Sequence, residues 1–353
     1  MYKYSHGGNA VFERGNKDII DLSASINPLG MPESVASAII RDIPNISRYP
    51  DNFSASLREK TAAFEGVNPD WIFFGNGASD IIFRMPRAIG ATKVMVCAPT
   101  FADYQRSAQS YGAEICYYNM SKDSGFSLDS SFLKAVQIER PRLVYLCNPN
   151  NPTGKLTERE LIEDLLDFCE RIGTWVVVDE CFMDFTGQAS MYTCKALLDE
   201  YSNLVVLKAF TKVFALPGIR LGYALCSNQY LSERLYFHGA DWAVSNPAQA
   251  AGLAALDNAN SFIKQTVDYV AAERNVLERE LTNLGYKVFA SSANFILFQN
   301  PFPFNLGERL NSAGIRIRSC GNFRGLDDTY YRIAVSTKEN NFKLLTAVKE
   351  ASE

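Results

Sequence analysis

Between about residues 47 and 256 the chain repeats one device: a short apolar run, a polar loop and, in most cases, a helical stretch. The apolar runs fall at 93–97, 114–118, 142–147, 175–178, 204–207 and 222–226. Strands separated by helices call for crossover connections, so this pattern predicts a mostly parallel, helix-covered α/β sheet in a large domain over 47–256. A long helical pattern at 261–284 then leads into runs at 286–289, 295–299, 315–318 and 331–335. These predict a smaller α+β domain over 257–353, against which an N-terminal arm, residues 1–46, is expected to pack. No internal repeat or low-complexity tract interrupts the layout.

The candidate chemistry lies in the loops that follow the strands. In KAFTKVFALPGIRLGY (208–223), Lys212 stands eight residues before Arg220. A lysine holds an aldehyde as a Schiff base only if its amine reaches the neutral form. A nearby guanidinium both depresses the amine's pKa and can grip a phosphate. Upstream, the buried run 175–178 ends in Asp179, at the carboxyl end of a strand, where open α/β sheets bind ligands. An aspartate there can pair with a pyridinium nitrogen and keep it protonated; it could also cap a helix or bind a metal, but no cluster of histidines or carboxylates stands nearby to complete a metal site. Lysine, arginine and aspartate together point to pyridoxal 5'-phosphate.

Three further segments fit a flat, phosphorylated ring. NPNNPTG (148–154) follows the run 142–147 and is too rich in proline, asparagine and glycine for regular structure. The side-chain amide of Asn151 there can donate to a phenolate oxygen. GNGASD (75–80) precedes a helical run from Ile81, so the amides of Gly77, Ala78 and Ser79 are placed to bind an anion. It lacks the third glycine of a dinucleotide fingerprint, which sets a Rossmann dehydrogenase aside. Phe101, in PTFADY (99–104), can stack on a ring or be a core aromatic.

The ordered set GNGASD, PTFADY, NPNNPTG, DECF, TKVFALPGIRLGY and YYRIAV, spread over most of the chain, resembles the aspartate aminotransferase superfamily of fold type I pyridoxal-phosphate enzymes. The resemblance implies that Lys212 is the Schiff-base lysine, Asp179 the pyridinium partner, Asn151 the donor to the ring oxygen and Phe101 the stacking ring. It implies a phosphate cup of Ala78, Ser79, Thr211 and Arg220. It also implies a homodimer in which Tyr49 of SRYPD reaches the other subunit's phosphate, and a carboxylate-binding role for Arg332.

Within the superfamily, the RYPD segment and the general length are shared by histidinol-phosphate aminotransferases and L-threonine O-3-phosphate decarboxylases. YSHGGN (4–9), DLSASINPLG (21–30) and RSCGNFRGLD (318–327) resemble the decarboxylases more closely. Phe182 in DECF replaces the aromatic hydroxyl of the aminotransferase's DEAY and removes one hydrogen bond to the phenolate. The decarboxylase resemblance implies that His6, Asn9, Ser25 and Asn27 line the substrate's phosphate end, with Arg318 and Arg332 as partners for its two anionic groups. Which arginine takes which anion stays open.

Composition narrows the alternatives. A chain of 353 residues, 47% apolar, with net charge −4 has no polybasic face for nucleic acid. No transmembrane run or secretory h-region is evident, and the eight cysteines are scattered without a C-x-x-C pair, several in or beside apolar runs. That pattern predicts reduced thiols in a cytoplasmic enzyme; the resemblance implies a small phosphorylated amino acid or amine as its substrate. With only two histidines, far apart, a zinc site or a histidine-based hydrolase is not expected. His238, before Gly239, is expected to end a helix. No basic helix-turn-helix module precedes residue 48, as a DNA-binding relative would require.

Overall fold

The computed structural model describes residues 7–8 and 19–352. Its centre is a seven-stranded sheet of β2 (Ile72–Asn76), β3 (Lys93–Ala98), β4 (Glu114–Asn119), β5 (Leu143–Cys147), β6 (Trp175–Asp179), β7 (Leu204–Ala209) and β8 (Leu221–Leu225), ordered β2-β8-β7-β6-β5-β3-β4. β4, β3, β5, β6 and β7 pair in parallel, and β8 runs antiparallel to both its neighbours. After β4 the chain returns to the other side of β3, so the strand order reverses between β3 and β5. Crevices at such reversals, outside the carboxyl ends of the strands, are where open α/β sheets bind ligands.

The strands are apolar on both faces because both faces are covered. Val176 and Val178 of β6, with Leu204 and Val206 of β7, face one core; Val177, Val205 and Leu207 alternate into the other. On the second side the helix Ala78–Ile89 contributes Ile81, Ile82, Met85 and Ala88, and the helix Ala102–Tyr111 contributes Tyr104 and Ala108. On the first, the helix Arg159–Ile172 buries Ile162, Leu165, Leu166 and Cys169, a single stripe at helical spacing, and ends at Gly173 in the left-handed region, φ 69°.

The remainder of the chain adds β1 (Ile20–Asp21), β9 (Lys287–Phe289), β10 (Phe295–Gln299), β11 (Ile315–Arg316), β12 (Arg318–Ser319) and β13 (Tyr330–Ala334). β12, β13, β10 and β9 form an antiparallel sheet, and β1 pairs in parallel with β11. The helix Ala259–Asn283 runs beneath them, and its buried Val270, Leu277 and Leu281 belong to the same core as Phe295 and Ile333. The single strand expected at 315–318 is two strands in different sheets. The chain leaves the parallel ladder with β1 after Arg316 and joins the antiparallel ladder with β13 at Arg318, which sets Arg318 directly opposite Arg332. His238 follows the helix Gln229–Phe237 as its C-cap. No helix among the described residues is long and apolar enough to cross a membrane.

One contact fixes where the helix Ala78–Ile89 begins. Its first turn lies on β8 at Gly222, where a Cβ would stand 2.3 Å from the Ala78 nitrogen and 2.7 Å from the Gly77 carbonyl carbon. Both obstacles are backbone and cannot rotate away. Gly222→Ala is expected to lower the free energy of unfolding by about 1–3 kcal/mol, as overpacking at a rigid contact does. A urea denaturation midpoint equal to the parent's would show that the helix start can shift freely.

Candidate active site

Asp179 ends β6, in register with Cys147 and Leu207 of the adjoining strands, and forms the floor of a cavity of about 330 Å³. Its Oδ2 accepts from the Tyr104 hydroxyl at 2.7 Å and its Oδ1 from the Cys181 amide at 3.0 Å. Tyr104 is stacked on Tyr145, with ring centroids 5.0 Å apart, so the hydroxyl that meets Asp179 is held by a packed ring. Sequence reasoning missed Tyr104. Its signal was its place three residues after Phe101, one helical turn on, which points both rings toward the same strand ends.

Lys212 lies in the short helix Phe210–Val213 that follows β7, with its Nζ 5.5 Å from the Phe182 ring centroid. Burial lowers its pKa to about 8, assisted by the charges of Arg332 and Arg220. The other lysine of the motif is occupied: Lys208 pairs with Glu65 at 2.9 Å and with Asp184 at 3.4 Å. Glu65 also meets Lys195, and although burial works to raise its pKa, the two ammonium groups hold it down at about 2. Lys208 is therefore locked into the core as an ion-pair partner, and Lys212 is the lysine whose amine faces the cavity.

At one end of the cavity the helix Ala78–Ile89 presents its N-terminus. The Gly77 amide, expected to be free for an anion, is taken by the Gly75 carbonyl at 2.7 Å. The Ala78 and Ser79 amides have no hydrogen-bond partner among the described residues, and the helix begins three residues earlier than Ile81 because Gly77 can adopt the cap's φ of 77°. Arg220, itself at φ 59°, lies against this turn: a Cβ on Gly77 would stand 2.5 Å from Arg220 Nη2. A guanidinium packed on the positive end of a helix repels it unless an anion sits between them. Thr211 lines the same end. This is the environment a cofactor phosphate requires, and with Lys212 and Asp179 the residues fit pyridoxal 5'-phosphate.

The opposite wall is also electropositive. Arg332 is buried; its Nη1 donates to Asn151 Oδ1, its Nη2 to the Ser23 carbonyl at 2.7 Å, and its Nε has no partner among the described residues. Because Asn151 accepts through Oδ1, its Nδ2 remains as the donor. Arg318, across the ladder from Arg332, donates to the Ser319 carbonyl and to Asn322 Oδ1, each at 2.7 Å. Two arginines directly opposite on adjacent strands repel, and burial with that neighbouring charge lowers the Arg332 pKa to about 10. Phe101 lines the cavity with its ring edge-on to Tyr104, at 5.6 Å.

Other expected residues divide. Ser25 is buried at the cavity wall, and its hydroxyl has no partner among the described residues. Asn27 does not reach the cavity: its Nδ2 donates to the Val213 carbonyl at 2.6 Å and to Thr266 Oγ1 at 2.7 Å, and its Oδ1 accepts from the Leu29 amide. It is a peg joining the N-terminal segment to the Lys212 helix. Tyr49 is 79% exposed, stacked on Trp242 at 4.4 Å, and is absent from this chain's own cavity. His6 and Asn9 lie outside the described residues, whereas Gly7 lines the cavity and the Gly8 amide donates to Ser23 Oγ at 2.9 Å. Arg324 and Asn322, within a segment the sequence singled out, also line the cavity but were not foreseen as site residues.

Comparisons with known proteins point to one family. Residues 17–348 match the family described as aminotransferase class I and II. The threonine-phosphate decarboxylase of Salmonella typhimurium is 33% identical, over 99% of this chain and 97% of its own. A histidinol-phosphate aminotransferase from Caldanaerobacter subterraneus is also 33% identical, over 93% of this chain and 92% of its own. The crystal structure of the histidinol-phosphate aminotransferase from Clostridium acetobutylicum superimposes with a TM-score of 0.88 at 30% identity, covering 95% of this chain and 99% of that one.

The burial of Lys212 predicts a pH signature in the cofactor-free protein. With a folded pKa near 8 against 10.5 in the unfolded chain, the unfolded state binds more protons between those values, and stability rises with pH across that window. Below it both states are protonated and burial of the ammonium destabilises the fold in full. Lys212→Met is therefore expected to melt above the parent at pH 7, with the gap closing as pH rises from about 8 toward 10.5. A gap that does not change with pH would contradict the charged, buried amine.

Proposed function

We propose that this chain, which belongs to the aminotransferase class I and II family, decarboxylates L-threonine O-3-phosphate to (R)-1-amino-2-propanol O-2-phosphate, a step of cobalamin biosynthesis. Its cofactor is pyridoxal 5'-phosphate, which when bound supplies an electron-accepting ring for the charge left at the substrate Cα. Lys212 would carry the cofactor aldehyde, and its Nζ would return a proton to the substrate Cα. Asp179, fixed by Tyr104 and the Cys181 amide, would keep the ring nitrogen protonated. Ala78, Ser79, Thr211 and Arg220 would hold the phosphate, Asn151 Nδ2 would donate to the ring oxygen, and Phe101 would stack on the ring. Phe182 offers no hydroxyl to that oxygen.

The observation that carries the decarboxylase reading is the convergence of its distinguishing segments on one cavity. Gly7, Ser23 and Ser25 come from the two N-terminal motifs, and Arg318 and Asn322 from the C-terminal one. Whichever Cα bond stands perpendicular to the ring plane is the one that breaks. Arg332 and Arg318, with Ser25 and the segment carrying His6 and Asn9, anchor the substrate's anions so that the carboxylate takes that position. Asn27 acts indirectly, by holding the Lys212 helix. Histidinol-phosphate aminotransferase, using 2-oxoglutarate and glutamate, is the second reading, favoured by the closeness of fold to a solved enzyme of that name. In the same proposal the chain is a cytoplasmic homodimer, Tyr49 enters the other subunit's site, and the domains divide at residues 46 and 256.

The deciding measurement is a paired assay of the cofactor-loaded protein. CO2 release from L-threonine O-3-phosphate without dependence on a keto acid is expected; glutamate formation from 2-oxoglutarate with histidinol phosphate, and no CO2, would make it an aminotransferase. Lys212→Ala should lose the visible absorbance of lysine-bound cofactor, and persistence of that band would show that another lysine carries it. Asp179→Ala should lose nearly all turnover while remaining folded. Activity within about tenfold, equivalent to about 1.4 kcal/mol of barrier, would exclude it as the ring-nitrogen partner.

A further inference from the structure

The charges lining the cavity do not balance among the described residues. Lys212, Arg220, Arg318, Arg324 and Arg332 face two carboxylates, Asp103 and Asp179. Asp103 already pairs with Arg106 at 2.7 Å, and Asp179 is engaged by Tyr104 and the Cys181 amide at the floor. With Arg220 at the helix N-terminus and Arg318 engaged by the Ser319 carbonyl and Asn322, Arg332 and Arg324 complete the three arginines on the substrate side.

Arg324 is the arginine of the three that no motif assigned. It comes from the connection between β12 and β13, and its guanidinium lies 4.1 Å from the centroid of Tyr117, a β4 residue that also lines the cavity. Its Nε points to Asn119 Oδ1 at 3.4 Å. The stacked ring and the asparagine set the plane of the guanidinium, and its Nη1 and Nη2 edge has no protein partner among the described residues. On the other side of the same loop Arg318 lies over Phe323, at 5.3 Å. β12 and the loop that follows it therefore present two guanidinium groups, each laid on an aromatic ring. An arginine fork fixed in this way meets a phosphate through two parallel hydrogen bonds without first ordering its side chain.

We propose that Arg324 is a specificity-determining residue, whose Nη edge, oriented by Tyr117 and Asn119, binds the phosphate end of the substrate at the cavity mouth. The inference rests on the proposed function for the identity of the phosphorylated substrate, but not for the anion site itself. The loop belongs to the smaller sheet, and through Arg324 it meets Tyr117 and Asn119 of β4, the edge strand of the larger one. Arg332, deep beside Lys212 and Asn151, is then left for the carboxylate.

The test uses the cofactor-loaded enzyme, with inorganic phosphate as the probe for the anion site and L-threonine as a substrate analogue without phosphate. In Arg324→Gln, the KM for L-threonine O-3-phosphate and the inhibition constant of phosphate are expected to rise about tenfold or more, as loss of a charge-assisted pair does. kcat should change by less than about threefold, and L-threonine affinity should not change. Arg324→Lys should recover part of the phosphate affinity, as a point charge without the fork. Phosphate inhibition unchanged in Arg324→Gln, or L-threonine weakened as much as phosphate, would overturn the assignment. A parent enzyme that releases no CO2 while Arg324→Gln still loses phosphate affinity would remove the decarboxylase reading and leave the anion site standing.

Discussion

Positive charge gathered in a half-enclosed cavity is the constraint around which the rest of the structure is arranged. Lys212 is half-buried, and the charges of Arg332 and Arg220 act on it, while Arg318 stands opposite Arg332 across a β-ladder. Such a set is unfavourable in itself, and folding alone gives no reason for it. It becomes favourable when anions enter, and the same repulsion that destabilises the empty arrangement lowers the Lys212 pKa toward the range where a neutral amine is accessible.

The sheet makes this possible by dividing its lysines and acids between two environments. Lys208 and Lys212 are four residues apart, yet Lys208 ends in an ion cluster with Glu65 and Asp184 while Lys212 faces the cavity. Asp179 and Glu180 divide in the same way. Asp179 meets Tyr104 at the cavity floor, whereas Glu180 is buried and accepts from Thr193 Oγ1 and the Cys194 amide, each at 2.7 Å. Side chains of adjacent residues at a strand end point to opposite sides, which separates Asp179 from Glu180; Lys208 lies in β7 and Lys212 in the short helix that follows it, so the change of element separates that pair.

Much of this was legible from local pattern. The central strands fell where the apolar runs placed them, because buried parallel strands require apolar residues on both faces and glycine, proline and asparagine mark their ends. Pattern failed where a long-range partner decides. The split of 315–318 depends on β1 and β13, which are remote in sequence; Asn27 was drawn away from the cavity by Val213 and Thr266. Tyr104 and Arg324 were invisible as site residues because their roles come from Asp179 and from Tyr117 and Asn119, which other elements supply.

The sequence by itself determined the α/β class, the order of the loop motifs and the chemical groups available: a lysine, an aspartate at a strand end, an asparagine in a constrained loop, glycines at a helix start and arginines to meet anions. These follow from spacing and residue chemistry, which act over a few positions. Only the tertiary structure decided which lysine is buried among cations, which acid meets a tyrosine rather than a threonine, and which arginines converge. Electrostatics and burial at those positions are set by groups tens to hundreds of residues away, and they take a value only when the sheets bring those groups to one cavity.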